Sequence, residues 1–410
     1  MSRGLGRIVV VGASLAGARA ADTLRREGFE GGITLIGAEP HPPYQRPPLS
    51  KQYLEGTWGR ERLELKPSPA ASGGAEAELM LGTTAVGLDV RERRVRVSGS
   101  GGDGEVSFDG LVIATGCHLR TLPGAAGLEG VFTLRTVDDC ERLRAILELG
   151  PRVAVIGAGF IGSEVAATCR KRGLDVTVIE ALPVPLAGAL GQEMGGVLAA
   201  VHRDHGTDLR LGVGVEGFVG DGRVGGVRLA DGSVVEADLV VVGVGVAPTT
   251  GWLEGSGLAL DNGVLCDAAC FVKAEAGGAR LDFVVAAGDV ARWHNRLFEE
   301  DMRVEHWTNA VEQGEAAARN LLRGSQEAED FSPPTYFWSD QYDVKIQYVG
   351  RARPGDRMEL AEGSIEERRF VAAYLRHDRV VAALAMNRPA RIVAWQQRVA
   401  ARAPWEPAAP

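Results

Sequence analysis

Cysteine is scarce in this chain and follows no pattern: five residues in 410, Cys117, Cys140, Cys169, Cys266 and Cys270. An odd, scattered set argues against a secreted disulfide framework, and no C-x-x-C occurs to suggest a redox or zinc motif. Cys266 and Cys270, in CDAAC, form the one close pair; with no second ligand pair beside them they read as packing residues. His202 and His205 have no third ligand at a recognisable spacing, so they are assigned to a solvated helix face and no metal site is predicted. Long apolar runs are also missing. The nearest, LVVVGVGVAP at 239 to 248, is Gly-interrupted and about half of the roughly 20 residues a membrane span needs. The N-terminal apolar run leads straight into a glycine loop, which is not a signal-peptide layout, so the chain is expected to be cytoplasmic with no membrane partner. Positive charge is in deficit: the net charge of −9 disfavours nucleic acid. Residues 331 to 410 run the other way, with 12 Lys/Arg against 9 Asp/Glu.

What is present is ordinary globular composition, 45% hydrophobic and 24% charged, at a length that suits two or three domains. The segment RIVVVGASLAGARAADTLRREG predicts a buried strand, a glycine turn and a helix, followed by a second strand, ITLIG. RVAVIGAGFIGSEVAATCRKRG and VTVIE repeat that plan 145 residues later. In such a unit one glycine makes the tight turn, the next admits a pyrophosphate, and the third lets helix pack on strand. The second loop is complete, with Gly157, Gly159 and Gly162 around Phe160 and Ile161; the first has Gly12 and Gly17 around Leu15 and Ala16, but Ser14 in the middle. The spacing G-x-S-x-x-G is not that of a hydrolase nucleophile elbow. Glu180, 18 residues beyond Gly162, and Glu39, 22 beyond Gly17, stand where a carboxylate accepts from ribose hydroxyls. Glu180 would repel a 2′-phosphate, so NADH is expected over NADPH. The basic pair Lys171 and Arg172 on the preceding helix is read as a solvated face.

Two dinucleotide loops in one chain suggest a relay from a pyridine nucleotide to a flavin. LVIATGC (111 to 117, with Ala114) and LVVVGVGVAP (with Gly245) are predicted strands ending in glycine turns, where chain crosses between two nucleotide domains. FVVAAGDVA places Gly288 and Asp289 at a strand's C-terminal end, with the Asp289 carboxylate suited to a ribityl hydroxyl. A helix starting near Thr308 or Asn309 follows, with Trp307 just before it, placed to touch the flavin ring. PPYQRPPLSK, at 42 to 51, is too proline-rich for helix or central strand and is predicted to be a rigid loop presenting Tyr44, Arg46 and Lys51.

The order of these parts, with RPPLSK (46 to 51), LRT (134 to 136), AAGDVA (286 to 291), FWSDQY (337 to 342) and NRP (387 to 389), resembles the FAD-dependent ferredoxin reductases of oxygenase systems, the family of putidaredoxin reductase, rubredoxin reductase and the aromatic-ring dioxygenase reductases. The resemblance covers essentially the whole chain. It implies FAD against the loop Gly12 to Gly17, Arg46, Pro47, Lys51, Ala85, Arg135, Asp289 and Trp307, and NADH on Gly157 to Gly162 and Glu180. It further implies that Lys51 pairs with Glu164 beside the flavin's reactive nitrogen, so that Lys51, Glu164 and Trp307 are the catalytic candidates. Some relatives carry a carboxylate at the position of Ala38; the acid here is displaced to Glu39.

The expected fold is α/β: an FAD-binding domain (1–116 and 248–330), a Rossmann-like NADH-binding domain inserted in it (117–247), and a C-terminal α+β domain (331–410). Disulfide and peroxide reductases of this architecture place a cysteine near residues 44 to 51, whereas this chain places Lys51 there. Without a thiol to accept an electron pair, single-electron delivery to a protein carrier is expected, an acidic two-iron ferredoxin feeding a haem-thiolate monooxygenase or a ring-hydroxylating dioxygenase. The rivals are an NADH oxidase or quinone reductase, turning over fast without a protein acceptor, and a redox-switched binding flavoprotein resembling apoptosis-inducing factor, slow with every acceptor. Arg292, Arg296, Arg303, Lys345, Arg391 and Arg398, with Trp338, are the expected basic face for an acidic ferredoxin.

Overall fold

A computed structural model describes residues 4–65, 77–99, 101–275 and 278–406. By contact the chain divides into two compact units. The first holds Met1–Gln45, Glu64–His118 and Ala247–Thr335; the second holds Arg46–Leu63, Leu119–Val246 and Tyr336–Pro410. The division points at 118/119 and 246/247 fall in the exits of the strands Gly110–Ile113 and Leu239–Val242, near two glycines in the left-handed region, Gly116 and Gly245.

In the first unit six strands lie in the order Phe271–Lys273, Arg280–Ala286, Gly110–Ile113, Arg7–Val11, Gly32–Ile36 and Glu78–Met80. All pair in parallel except the Phe271–Lys273 edge. The Arg7–Val11 strand is central, flanked on both sides, which is why Ile8, Val9 and Val10 form an unbroken buried apolar run and not an alternating one. Helices Leu15–Arg26 and Trp307–Arg323 pack closely: a Cβ on Gly314 would come within 2.5 Å of the Ala16 carbonyl. Two small three-stranded sheets complete the unit.

The second unit repeats the plan with five parallel strands in the order Asp208–Leu211, Val176–Glu180, Val153–Ile156, Leu239–Val242 and Val131–Phe132. It also carries a five-stranded antiparallel sheet built from residues 336–386, followed by helix Ile392–Ala400. One face of that sheet buries Phe337, Ile346, Tyr348, Phe370, Tyr374 and Leu384 against Leu190, Met194, Leu198 and Val201 of helix Ala187–Asp204. Two Rossmann-like parallel sheets and a terminal antiparallel sheet with its helix are the fold class the sequence predicts. Among the described residues, no helix is long and apolar enough to cross a membrane.

Candidate active site

Both glycine loops form the expected strand–turn–helix. Gly12 (φ 117°) and Gly157 (φ 98°) occupy a backbone region that strains side-chain-bearing residues, and a Cβ there would fall 2.1 Å from the Ala114 carbonyl oxygen and 2.4 Å from that of Gly243. Gly17 and Gly162 press on their own turns, a Cβ lying 2.0 Å from the carbonyl of Gly12 or Gly157 respectively. Gly159 differs. It caps helix Phe160–Lys171 at φ −73°, and nothing in the protein lies within 4 Å of where its Cβ would be. Neither backbone angle nor protein packing requires glycine at 159, so the open space in front of that helix start fits a ligand's pyrophosphate. Ser14 takes the same capping position before helix Leu15–Arg26, in extended backbone.

Glu180 closes its strand beside the second loop. Its Oε2 accepts from the Ala158 amide at 2.7 Å and its Oε1 from the Leu182 amide at 2.9 Å. A carboxylate has about four acceptor sites, so lone pairs remain for a ribose. Ile161 and Leu182, each 48% exposed, are apolar side chains flanking the loop and the acid. In the first unit the Glu39 Oε2 accepts from the Tyr44 hydroxyl, so the displaced acid is tied to the start of the proline segment. Gly288 donates its amide to Gln313 Oε1 at 2.9 Å, and the half-buried Asp289 follows it in a one-turn 3-10 helix.

The proline segment is not an irregular loop. Pro47–Ser50 forms a 3-10 turn and Gln52–Glu55 a short helix, because prolines in a first helical turn sacrifice only amides that would lack helical partners anyway. The turn carries Lys51 inward. Lys51, 9% exposed, donates from Nζ to Glu164 Oε2 at 2.9 Å; Glu164 is 3% exposed. Ser50 Oγ donates to the same oxygen, and Ser339 Oγ, from the C-terminal sheet, donates to Oε1 at 2.7 Å. One buried carboxylate thus has three donors and one compensating cation. Both serines lie inside RPPLSK and FWSDQY, yet sequence reasoning missed them. In the same unit Arg46 Nη1 donates to the Arg135 carbonyl, bringing those two candidates together. Ala114 is buried, Ala85 is half-buried and paired with Val97, and the Gly245 carbonyl accepts from the Arg120 amide.

Several expectations are corrected. Trp307 does not precede its helix but opens it, with His306 as N-cap, one residue ahead of the earlier predicted start. Phe160 packs edge-on against Phe337 at 4.3 Å between ring centroids. Arg172 is not solvated: its side chain is 13% exposed, and its guanidinium donates to the Leu54 carbonyl at 3.0 Å and to Glu148 at 2.7 Å. The expected basic face is largely neutralised. Arg303, only 11% exposed, is bound to Glu305, Cys117 Sγ and the Asp289 carbonyl, while Arg292 pairs with Asp261, Arg296 with Asp330, Lys345 with Asp340 and Arg391 with Glu362. Arg398 lies over the Trp395 ring. Counting basic residues reveals none of these partners.

His202 is likewise no solvated residue. It is 1% exposed, with Nδ1 3.0 Å from the Tyr342 hydroxyl and Nε2 3.1 Å from Gln341 Oε1. Burial pushes its pKa from the usual 6.5 down to about 4. A neutral histidine buried this way binds fewer protons than the unfolded chain between those values. Its contribution, about 3 kcal/mol, is therefore present in full above pH 6.5 and lost as pH falls toward 4. His202→Gln is expected to flatten the acid side of the melting-temperature profile between pH 6.5 and 4.5; an unchanged slope would assign it to other groups.

All five cysteines are free and buried. Burial raises the thiols of Cys140 and Cys169 to about 12 and that of Cys266 well above its ordinary value. Cys140, next to the proline turn, donates to the Leu49 carbonyl at 3.1 Å. Cys140, Cys169 and Cys266 are thus inert packing residues.

Comparison with known proteins agrees with this architecture. Residues 6–314 match the pyridine nucleotide-disulphide oxidoreductase model and residues 336–409 the reductase C-terminal model. The chain is 37% identical to rhodocoxin reductase of Rhodococcus erythropolis, covering 98% of this chain and 91% of that protein. It is 35% identical to the ferredoxin–NAD(+) reductase component of the anthranilate 1,2-dioxygenase system of Burkholderia cepacia, covering 97% and 95%. The crystal structure of the covalent putidaredoxin reductase–putidaredoxin complex matches with a TM-score of 0.89 at 33% identity, covering 98% and 94%. The chain belongs to the pyridine nucleotide-disulphide oxidoreductase family, among the ferredoxin reductases of oxygenase systems.

Proposed function

We propose that this enzyme takes electrons from NADH and passes them singly to a two-iron ferredoxin serving a monooxygenase or a ring-hydroxylating dioxygenase. In this reading the three functional parts are 1–116 with 248–330 for FAD, 117–247 for NADH, and 331–410 as the C-terminal domain. Bound FAD supplies the exchange between a two-electron donor and one-electron acceptors. The first loop, Gly12 to Gly17, would hold its pyrophosphate; Glu39, Ala85, Ala114, Gly288, Asp289 and Trp307, together with Arg46, Pro47 and Arg135, would orient it. The Gly157 to Gly162 loop and Glu180 would hold NADH.

The observation that carries this reading is the buried Lys51–Glu164 pair where thiol-using members of the architecture are expected to place cysteine. Lys51 is a cation that cannot accept an electron pair or form a mixed disulfide, so it orients and stabilises charge and leaves no covalent exit. The names of the relatives, reductases that serve ferredoxins, support the same acceptor.

The test is turnover of the FAD-loaded enzyme with NADH and a panel of two-iron ferredoxins, against oxygen and a small quinone as sole acceptors. Fast reduction of one or more ferredoxins, with slow oxygen consumption, is expected. Fast turnover with oxygen or quinone and none with any ferredoxin would overturn the assignment. The neutralised arginines also predict that turnover is not lost steeply as salt rises.

A further inference from the structure

Behind Glu164, polar side chains continue through the interior of the second unit. Ser339 Oγ, which donates to Glu164 Oε1, lies 3.2 Å from Gln341 Nε2. Gln341 Oε1 faces His202 Nε2 at 3.1 Å, His202 Nδ1 faces the Tyr342 hydroxyl at 3.0 Å, and that hydroxyl lies 2.6 Å from Thr207 Oγ1. Ser339 and Gln341 are fully buried, and His202, Thr207 and Tyr342 nearly so.

The direction of every bond follows from its ends. A carboxylate paired with Lys51 only accepts, so Ser339 spends its one proton on Glu164 and must accept from Gln341. That turns the Gln341 amide so that its oxygen faces His202, which must donate from Nε2. The neutral imidazole then has Nδ1 as acceptor, Tyr342 donates to it, and Thr207 donates to Tyr342. Five hydrogen bonds therefore run one way and end on one oxygen. The amide in the middle carries a fixed donor and a fixed acceptor, so the row does not hand protons along.

We propose that Thr207, Tyr342, His202, Gln341 and Ser339 form a positioning chain for Glu164, holding its carboxylate turned so that Oε2 remains committed to Lys51. This rests on the reading of Lys51 and Glu164 as the pair that orders the hydride-transfer site. His202 is a positioning residue in this scheme, acting through Gln341 and Ser339. The other ionisable groups around it are Tyr342 and His205, the latter stacked on the Tyr342 ring at 4.0 Å and 3.3 Å from Asp343. Arg170 is turned away, to the carbonyls of His205 and Leu174.

Two measurements test the chain. The first needs no mutation and no turnover: nitrogen NMR of the histidine-labelled holoenzyme at neutral pH should show His202 neutral, with the proton on Nε2. A proton on Nδ1, or on both nitrogens, would reverse or break the row at Gln341 and overturn the proposal. The second is stopped-flow reduction by NADH in the FAD-loaded fraction of Lys51→Met, Ser339→Ala and the double variant. Ser339→Ala is expected to slow reduction about tenfold, and to add little once Lys51 is gone, because coupled residues are not additive. His202→Leu should show the same defect and His202→Gln, which keeps a donor, should largely restore the rate. If Lys51→Met is slow while Ser339→Ala and His202→Leu reduce at the wild-type rate, the chain is only structural and the pair stands. If Lys51→Met itself reduces at full rate, the reading of the pair has failed, and the chain falls with it.

Discussion

Lys51→Met is expected to slow reduction of the bound flavin by NADH about a hundredfold, the scale for removing one preorganised electrostatic group, and to destabilise the fold by about 3–5 kcal/mol. Lys51 and Glu164 are both almost wholly removed from water, so deleting the cation leaves a carboxylate buried with only Ser50 and Ser339 as donors. The two consequences must be separated before a slow variant says anything about chemistry.

Lys51→Met with Glu164→Gln does this. A neutral amide in place of the carboxylate removes the uncompensated charge while its oxygen still accepts from a serine, and uncharged replacements of buried ion pairs are often near neutral in stability. The double variant is therefore expected to recover most of the lost melting temperature and still to reduce slowly, both read on the fraction that carries FAD. A double variant that regains stability and rate together would make the pair a structural ion pair. Lys51→Met with an unchanged melting temperature would mean the pair is not buried as described.

How much of this was legible in the sequence depended on how far apart the interacting residues lie. The nucleotide loops were, because the turn, the helix start and the strand-ending acid are set by spacings of a few to about twenty residues, and Gly17 and Gly162 answer a local demand, each pressing on the carbonyl of the glycine that opens its own turn. The class of fold followed from meeting the same unit twice. Glu164 was reached only through family resemblance, since nothing local to GSEVAAT announces a partner 113 residues upstream. Ser339 lies 175 residues from the carboxylate it serves, and a serine in a strand has no distinguishing pattern. His202 was misread for a related reason: on a helix whose other face is apolar, a polar residue is assigned to water unless its partners on another element, here Gln341 and Tyr342, are known. The arginines were overvalued because composition registers charge but not the carboxylate, carbonyl or ring each has already engaged.

Glu180→Ala is expected to weaken NADH binding by about 1–3 kcal/mol, the scale of a hydrogen bond to a charged group, and to raise the relative use of NADPH without making NADPH the better substrate. The carboxylate has two roles. It is placed to accept from the ribose 2′-hydroxyl, where a 2′-phosphate would meet like charge, and it also holds the amides of Ala158 and Leu182, one in the glycine loop and one just after the strand. Alanine loses both. Glu180→Gln keeps an acceptor for one amide and drops the charge, so it should give up less NADH affinity than alanine while relieving the same repulsion. Neither substitution supplies a cation for the phosphate. Lys171 and Arg172 close the 12-residue helix whose start faces the pyrophosphate, so they stand a full helix length from the loop, and Arg172 is committed there to Leu54 and Glu148. Steady-state kcat/KM for both nucleotides in the three proteins decides the matter. Preference for NADPH in the wild type, or a Glu180→Gln that loses as much NADH affinity as Glu180→Ala with no gain for NADPH, would remove Glu180 from the ribose and leave it a loop-holding residue alone.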